Sequence, residues 1–595
     1  MAASLSKIVT ICNTYTLGIT VCFIAVLLGL LSFQGFDFCD EGWYMTFYQQ
    51  IFNAPETVEY NFAFWLTGIV GGAWYELFPE GGILSFRLLT IIIIIATVIV
   101  AYKLLVQYIK KEYVVVGLLM VMLVNDFGYL AFYYNHLSGF LAVCIVYFLD
   151  KGLRKQRLLE LSIAGLLTAV NVFSRLPNVT LFALLLVFPV QYFFDTTTTK
   201  KHIVKQIVAF LCGSILGFVI VYLVMLSLGH IDVFKNAVSG IINKGGNADS
   251  NHNITRLLGF YAKEYIKIIK FSLNIIPIAI VIIVMSSYSK RIPFLKPLTY
   301  IFGIGIIAFL FRKDAVYSLY CLGLMGTTYL IVTKVITPAI KSVAFLALVV
   351  AVLLPMGSDG GIHNAGYVCI WLLLPVFMHA FSILQNANME LNLSHGKVKL
   401  NVAKNDFKTF IIVLAISFFA VKGYKISKEA YFDKGSRLNK THAINNALAN
   451  VYTTQERATV TNAVLEALEP HVKAGDYLLA YDNVPMLNYL TQTKPYMGIS
   501  WVWVYDSKTF EAKIKQAEET IPNLPIVVQQ KFKTIVSFTE PDETYMDETK
   551  EEGYIYKRGR VIAMNAFLKR NNYEVIWSNT HFNILKPIAN QSKEN

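Results

Sequence analysis

Residues Ile91–Ala101 read IIIIIATVIVA and carry no charge, and this run decides the class of the protein. With its apolar neighbours it reaches the roughly 20 residues needed to cross a bilayer core. Ile411–Val421 is equally free of charge. Such runs recur along the whole chain of 595 residues, which is 55% hydrophobic and 15% charged. Soluble domains carry about 25% charged residues. The mean hydropathy of +0.51 points the same way. The fold class expected is a polytopic α-helical membrane protein.

Working outward from 91–101, roughly thirteen spans are expected. They fall near 8–31, 83–102, 113–132, 136–149, 158–174, 178–194, 203–228, 270–287, 298–311, 315–333, 342–356, 366–385 and 409–424. The N-terminus lacks a basic region, a short apolar core and a small-residue cleavage site, so the first stretch is read as a retained span.

The loops sort by charge. Lys103, Lys110 and Lys111 form one basic group, followed by Lys151, Arg154, Lys155 and Arg157, then Lys200, Lys201 and Lys205. Lys290, Arg291, Lys296, Lys334, Lys341, Lys397, Lys399, Lys404 and Lys408 continue the series. Basic loops stay in the cytoplasm. That places the N-terminus in the cytoplasm and everything after the last span outside it. The formal charge of +13 belongs to these loops. No zinc knuckle, RNA-binding signature or basic arm is present, so nucleic acid is not an expected partner. Compact loops favour a bacterial inner membrane. Phe62–Phe78 is apolar enough to span, but counting it would turn every later basic loop outward. It is expected as an interfacial or re-entrant helix, with Trp65, Trp74 and Tyr75 at headgroup level.

Two domains follow: residues 1–424 in the membrane and 425–595 as an extracytoplasmic α/β domain. In the latter, 437–470 is expected to be helical, with strands at 477–481, 525–528, 573–577 and 582–585 and helices at 485–490 and 561–571. It has no Gly-rich phosphate loop and no nucleophile elbow. Seven cysteines, none beyond Cys369, leave it without disulfides.

The first external loop, near 32–85, holds seven acidic residues and no Lys or Arg. Three of the seven, Asp37, Asp40 and Glu41, open it in the run QGFDFCDEGWYMTFYQQIF, residues 34–52. Asp40 is expected to cap a helix from Glu41. That helix would lay Trp43, Tyr44, Phe47, Tyr48, Ile51 and Phe52 into the membrane interface. Carboxylates at its start could serve as a general base or simply cap and solvate the loop.

An acidic pair just after the first span, aromatic interfacial helices, about thirteen spans and a soluble C-terminal domain together resemble the GT-C superfamily of polyprenyl-phosphate-sugar-dependent glycosyltransferases. The similar groups are the protein O-mannosyltransferase-like enzymes and the lipid A aminoarabinose transferases. The resemblance implies a hexosyl- or pentosyltransferase working with inversion on a polyprenyl-phosphate sugar donor. It implies Asp40 as the catalytic base, Glu41 as its neighbour in the motif and Asp37 as a rival base. The acceptor class stays open among glycan, lipid and protein.

A phosphate-bearing donor needs cations. Arg175, in NVFSRLPNVT before a helix-breaking proline, is the first candidate. Its alternative is a charge that reaches the external surface. Arg312 and Lys313 form an external basic pair and come next, followed by Lys244 and Arg256 in the Gly- and Asn-rich segment 229–270. Arg87 is expected to pair with a first-loop carboxylate. Asp359 and His363, in the turn GSDGGIHNAG, are candidates for acceptor or sugar contacts. No HExxH or dense His/Asp cluster assigns a metal, although one is not excluded, and no other cofactor is expected. A polysaccharide polymerase or ligase, or a lipid-linked glycan transporter, are the alternative functions. The transporter is disfavoured because internal repeats are absent.

Overall fold

The computed structural model describes residues 15–124, 130–194, 199–244, 254–334, 336–358, 360–384, 387–393, 396–533, 536, 540–553 and 556–588. Helices dominate the first 428 residues. In chain order they are α1 (Thr16–Ser32), α2 (Asp40–Gln50), α3 (Trp65–Leu77), α4 (Gly82–Leu105), α5 (Lys111–Val124), α6 (Tyr134–Lys155), α7 (Leu158–Val172), α8 (Val187–Phe194), α9 (Lys200–Ser227), α10 (Ile231–Lys244), α11 (Ile254–Tyr288), α12 (Leu295–Val332), α13 (Pro338–Leu353), α14 (Gly361–Cys369), α15 (Leu373–Ile383) and α16 (Lys404–Lys428). A hairpin of β1 (Ala387–Leu393) and β2 (Gly396–Val402) precedes α16.

The described parts of the expected spans fall largely on helix, while residues 8–14 and 125–129 of two of them lie outside the described residues. Among the described residues, eight stretches are long and apolar enough to cross a membrane, or nine if α14 and α15, bent by 70°, form one span. α1, α7 and α13 are shorter apolar helices. Close packing of α7 on α9 rests on small residues. A Cβ at Gly213 would lie 1.8 Å from the Ser162 carbonyl oxygen, and one at Gly165 would lie 1.9 Å from that of Phe210. Without a hydrophobic drive between lipid-embedded helices, such backbone approach supplies the contact.

Three expectations about the helices change, and one about Phe62–Phe78 holds. Arg312 and Lys313 do not sit in a turn, because α12 stays helical through them, between the apolar stretches Leu295–Lys313 and Ala315–Val332. The run FRKDA lacks the glycine or proline that would end a helix there. Segment 229–270 is largely taken up by α10 and the start of α11 rather than by loop. α3, with 13 residues, is about 20 Å long and falls short of a bilayer crossing. Its Trp65 is buried inside the protein, donating its indole N–H to His230 Nδ1 at 3.1 Å, and so does not stand at headgroup level.

Beyond α16 comes the sheet-bearing part: β3 (His442–Ala443), β4 (Tyr452–Thr453), α17 (Gln455–Leu468), β5 (Tyr477–Tyr481), α18 (Met486–Leu490), β6 (Lys494–Pro495), α19 (Ser507–Thr520), β7 (Ile526–Gln530), α20 (Arg558–Arg570), β8 (Tyr573–Ser578) and β9 (Phe582–Pro587). Five strands order as β6-β5-β7-β9-β8, parallel on the β5 side and antiparallel on the β9 side. The expected strands and the 485–490 and 561–571 helices are all present. The expected helix over 437–470 is not continuous. Its first half is a short 3₁₀ turn and two small strands, and only α17 is helical, started by Thr454 accepting from the Arg457 N–H. LNKTHAINNALAN has no helical apolar period, and its asparagines favour turns.

The sheet-bearing part sits directly on the segment that follows α1. Gln34 bridges Tyr452, with Gly35 N–H to Tyr452 O at 2.8 Å and Tyr452 N–H to Phe33 O at 2.8 Å. Met486 N–H donates to Phe38 O at 3.0 Å. Ion pairing of Lys513 with Glu59 at 3.0 Å adds a further tie.

Candidate active site

Asp37, Asp40 and Glu41 lie within five residues, yet each has a different environment. Asp37 is buried, and its Oδ1 and Oδ2 accept the N–H groups of Cys39 (2.8 Å) and Glu41 (3.0 Å). It therefore satisfies the free donors at the start of α2. The cap expected of Asp40 is made by Asp37 instead, and α2 begins one residue earlier, at Asp40 itself. Burial pushes the Asp37 carboxyl well above its ordinary range, helped by the nearby charges of Asp40 and Glu41 and opposed by its two backbone hydrogen bonds.

Glu41 is buried and meets Arg87 of α4 fork to fork. Nε donates to Oε1 at 2.8 Å and Nη2 to Oε2 at 2.8 Å. Arg87 Nη1 donates to the carbonyls of Ser32 (2.6 Å) and Gln34 (3.3 Å), and Nη2 to that of Gly35 (2.8 Å). All five guanidinium N–H groups are thereby used. The expected pairing of Arg87 with a first-loop carboxylate is present, and it clamps the chain's exit from α1 onto α4. Gly35 turns there at φ +101°, a conformation suited to glycine, and a Cβ would come 2.7 Å from that of Ala430.

Asp40 is half-buried, and the hydroxyl of Tyr431, just past α16, donates to its Oδ2. One turn on, Tyr44 shares its helix face. Tyr44 belongs to an aromatic wall with Tyr133 (ring centroids 5.5 Å) and Tyr134 (6.0 Å). Tyr134 stacks on Phe64 at 4.4 Å and carries the Arg175 guanidinium 5.8 Å from its ring centre, a cation–π distance. Asp40 and Arg175 thus lie on one aromatic wall.

α2 itself does not lie against lipid. Glu41 through Gln50 are all buried, enclosed by α3 and α4 on one side and α18 on the other. Gly42 shows how close that enclosure is: a Cβ there would lie 2.2 Å from the Met486 backbone nitrogen.

Arg175 sits in an extended break between α7 and the 3₁₀ stretch Leu176–Leu186, which carries Pro177 in its first turn. Its side chain is 3% exposed and does not reach the external surface. Nε donates to Asn178 Oδ1 at 3.2 Å, and Nη2 donates to the carbonyls of Leu354 and Met356, the latter at 3.2 Å. These carbonyls cluster at the end of α13, where a cation complements the helix dipole. Asn178 also bonds Asn171 and Ser138, so the break is braced by a polar network.

The remaining candidates are not brought to this wall by any recorded contact. Arg312 and Lys313 are exposed, and so is His363. Asp359 and the side chains of Lys244 and Arg256 lie outside the described residues. Among the described residues, no three of His, Cys, Asp and Glu are grouped to hold a metal ion.

Sequence reasoning missed Tyr431, His136 and Glu264. Buried His136 meets Tyr367 at 3.3 Å beside Tyr133. Fully buried Glu264 accepts from Tyr317 (2.7 Å) and from the Ile362 N–H (3.0 Å), and pairs with Lys267 at 2.7 Å. A glutamate inside a long apolar helix was a usable signal for Glu264. Tyr431 carried none, since its partner is 391 positions away.

No protein-family model matches the chain, and no curated protein matches it. Among solved structures it is similar to the crystal structure of ArnT from Cupriavidus metallidurans bound to undecaprenyl phosphate. Sequence identity is 10% and the TM-score 0.48, covering 98% of this chain and 100% of that one. It is also similar to the apo crystal structure of the same protein, at 11% identity and TM-score 0.46, covering 96% and 98%.

Proposed function

We propose that this chain is an integral-membrane glycosyltransferase that moves a sugar from a polyprenyl-phosphate-linked donor to an acceptor on the extracytoplasmic face, with Asp40 as the base. The observation that carries the reading is the division of labour among three adjacent carboxylates. Asp37 caps α2 and Glu41 clamps Arg87, both buried. Asp40 is half-buried on an aromatic wall that also holds a cation, Arg175.

In the reaction, Asp40 takes the proton of an acceptor hydroxyl. The hydroxyl oxygen bonds to the anomeric carbon as the bond from that carbon to the donor phosphate breaks. The departing phosphate keeps the electron pair, and Arg175 is the residue placed to offset its charge. Flat apolar sugar faces and a prenyl chain both suit the tyrosines and Phe64 of the wall. Arg312 and Lys313, then Lys244 and Arg256, stay as further candidates for donor-phosphate contacts, and Asp359 and His363 as candidates for acceptor or sugar contacts. The basic-loop pattern supports a cytoplasmic N-terminus, an extracytoplasmic sheet-bearing domain and a bacterial inner membrane.

The test compares wild type with Asp40→Asn at equal membrane abundance, following radiolabelled sugar from membrane-extracted polyprenyl-phosphate sugars. Loss of a positioned base should lower transfer by about 10²–10⁴-fold. Undiminished transfer in the variant removes Asp40 from the role. No transfer by either protein across a broad donor panel removes the enzyme reading.

A further inference from the structure

Tyr431 lies three residues beyond the end of α16, and the reaction above makes no use of it. Its surroundings hold it rigidly. The ring stacks on Phe432 at 4.2 Å with an interplanar angle of 18°. The Phe432 carbonyl accepts from Arg457 Nη1 at 2.6 Å, and the same nitrogen donates to the Phe36 carbonyl in the first loop. Asp433, next in sequence, is buried, pairs with Lys440 at 3.1 Å and accepts the Thr453 hydroxyl at 2.7 Å. It also accepts the Phe36 N–H at 3.0 Å. Residues 431–433 and the loop that carries Asp40 are therefore fastened to one another by Asp433 and Arg457, themselves paired at 3.5 Å.

We infer that Tyr431 is a positioning residue of the active site, fixing the orientation of the Asp40 carboxylate through its hydrogen bond to Oδ2. The inference rests on the reading of Asp40 as the base. It also gives the sheet-bearing part a function, since Arg457 on α17 holds the segment that holds Asp40.

The chemistry of the pair is consistent with this. Asp40 receives the acceptor's proton on its carboxylate, and Tyr431 keeps its own proton throughout. Burial and the neighbouring carboxylates Asp40 and Asp37 push the Tyr431 phenol well above its ordinary value, so it remains a donor across the working range. Other titratable groups near Asp40 include Asp37, Cys39 and Glu41 from its own segment, Tyr44 from α2 and Tyr133 beside the start of α6. Tyr431 is the donor among them that comes from the far side of the seam.

The experiment measures the pH profile of transfer at subsaturating donor, again with radiolabelled, membrane-extracted polyprenyl-phosphate sugars. Tyr431→Phe removes a hydrogen bond that favours the charged carboxylate. The acid limb should move to higher pH by about one unit, because hydrogen bonds to the charged form are what hold a carboxyl down. The plateau rate should fall roughly tenfold, within the range that loss of base positioning covers. Placing 3-fluorotyrosine at 431 keeps the shape and makes the phenol a stronger donor. Its acid limb should move to lower pH, and this arm alone decides the matter if Tyr431→Phe does not fold.

Profiles of both variants that coincide with wild type at equal folded amounts overturn the positioning role. Asp40→Asn, run in parallel, separates the two failures. If it is inactive while the Tyr431 variants match wild type, only the positioning inference falls. If it transfers normally, the base reading falls and takes the positioning role with it.

Discussion

Consider lysine in place of Arg87. The guanidinium donates five hydrogen bonds, two to Glu41 and one each to the carbonyls of Ser32, Gln34 and Gly35. An ammonium has three donors and no planar fork. At least two of the five acceptors lose their partner at a site where Arg87 is 3% exposed and Glu41 likewise 3%. A buried acceptor left alone costs about 1–3 kcal/mol, and breaking a buried pair costs about 3–5 kcal/mol. With the charge retained but two or more acceptors unpaired, the expected loss for Arg87→Lys is about 2–6 kcal/mol. Glu41→Gln keeps the shape but leaves the Arg87 charge buried without its counter-ion, so it should lose about 3–5 kcal/mol. Replacing both residues with apolar side chains of similar volume should recover much of that loss, because no lone buried charge remains. The assay is a heat series on detergent-solubilised protein, scoring the monodisperse fraction by gel filtration. Transfer is then measured on the folded fraction in the cold. Glu41→Gln should stay within about tenfold of wild type, against the 10²–10⁴-fold expected of a lost base. An Arg87→Lys protein as heat-stable as wild type would refute the clamp. A folded, inactive Glu41→Gln protein would move the chemistry from Asp40 to Glu41.

Two further outcomes follow from the same neighbourhood. Gly42→Ala drives a Cβ to 2.2 Å from the Met486 backbone nitrogen, where no flexible side chain can yield. Overpacking of about 1–3 kcal/mol should loosen α2 from α18 and speed limited proteolysis between α16 and α17. Asp37 titrates above its ordinary value of 3.8 in the folded protein. The folded state then binds the proton more tightly than the unfolded chain. Its penalty is in full force above the raised value and is relieved as pH falls through that value toward 3.8. Thermal stability contributed by this residue should therefore rise on acidification over that window, and Asp37→Asn should flatten the slope. An unchanged slope in the variant would show that other carboxyls set it.

Much of the architecture was legible because it is written in local pattern. Uncharged runs such as Ile91–Ala101 read as lipid-facing or buried helix, and the described parts of the expected spans are largely helical. Alternating runs such as Tyr477–Tyr481 and Phe582–Leu585 became strands of the five-stranded sheet. The failures share a cause as well. α2 was expected at the lipid interface because its aromatic residues are amphipathic by count. The residues that cover its second face, on α18, lie more than 400 positions away. Trp65 was misplaced for the same reason, since its partner His230 is 165 positions distant. Arg312 and Lys313 were placed as an external pair between two spans, 298–311 and 315–333, although FRKDA holds no residue that ends a helix.

The candidate site shows where composition stops and topology begins. Nothing in FDFCDE ranks its carboxylates, for all three are acidic, adjacent and flanked by aromatic or small residues. Their roles come from what the fold brings to each. Asp37 finds the backbone donors that any helix start leaves open, a partner within its own segment. Glu41 finds Arg87, whose reach is set by the angle between α1 and α4. Asp40 finds Tyr431, which arrives only after the last apolar helix has been built and the chain has folded back. The more distant the partner, the less the residue's role can be read locally, and here the most distant partner falls to the carboxylate proposed as the base. Asp40 thus depends for its orientation on a segment that follows the whole helical bundle, which explains mechanically why a sheet-bearing domain should be joined to the bundle at this point.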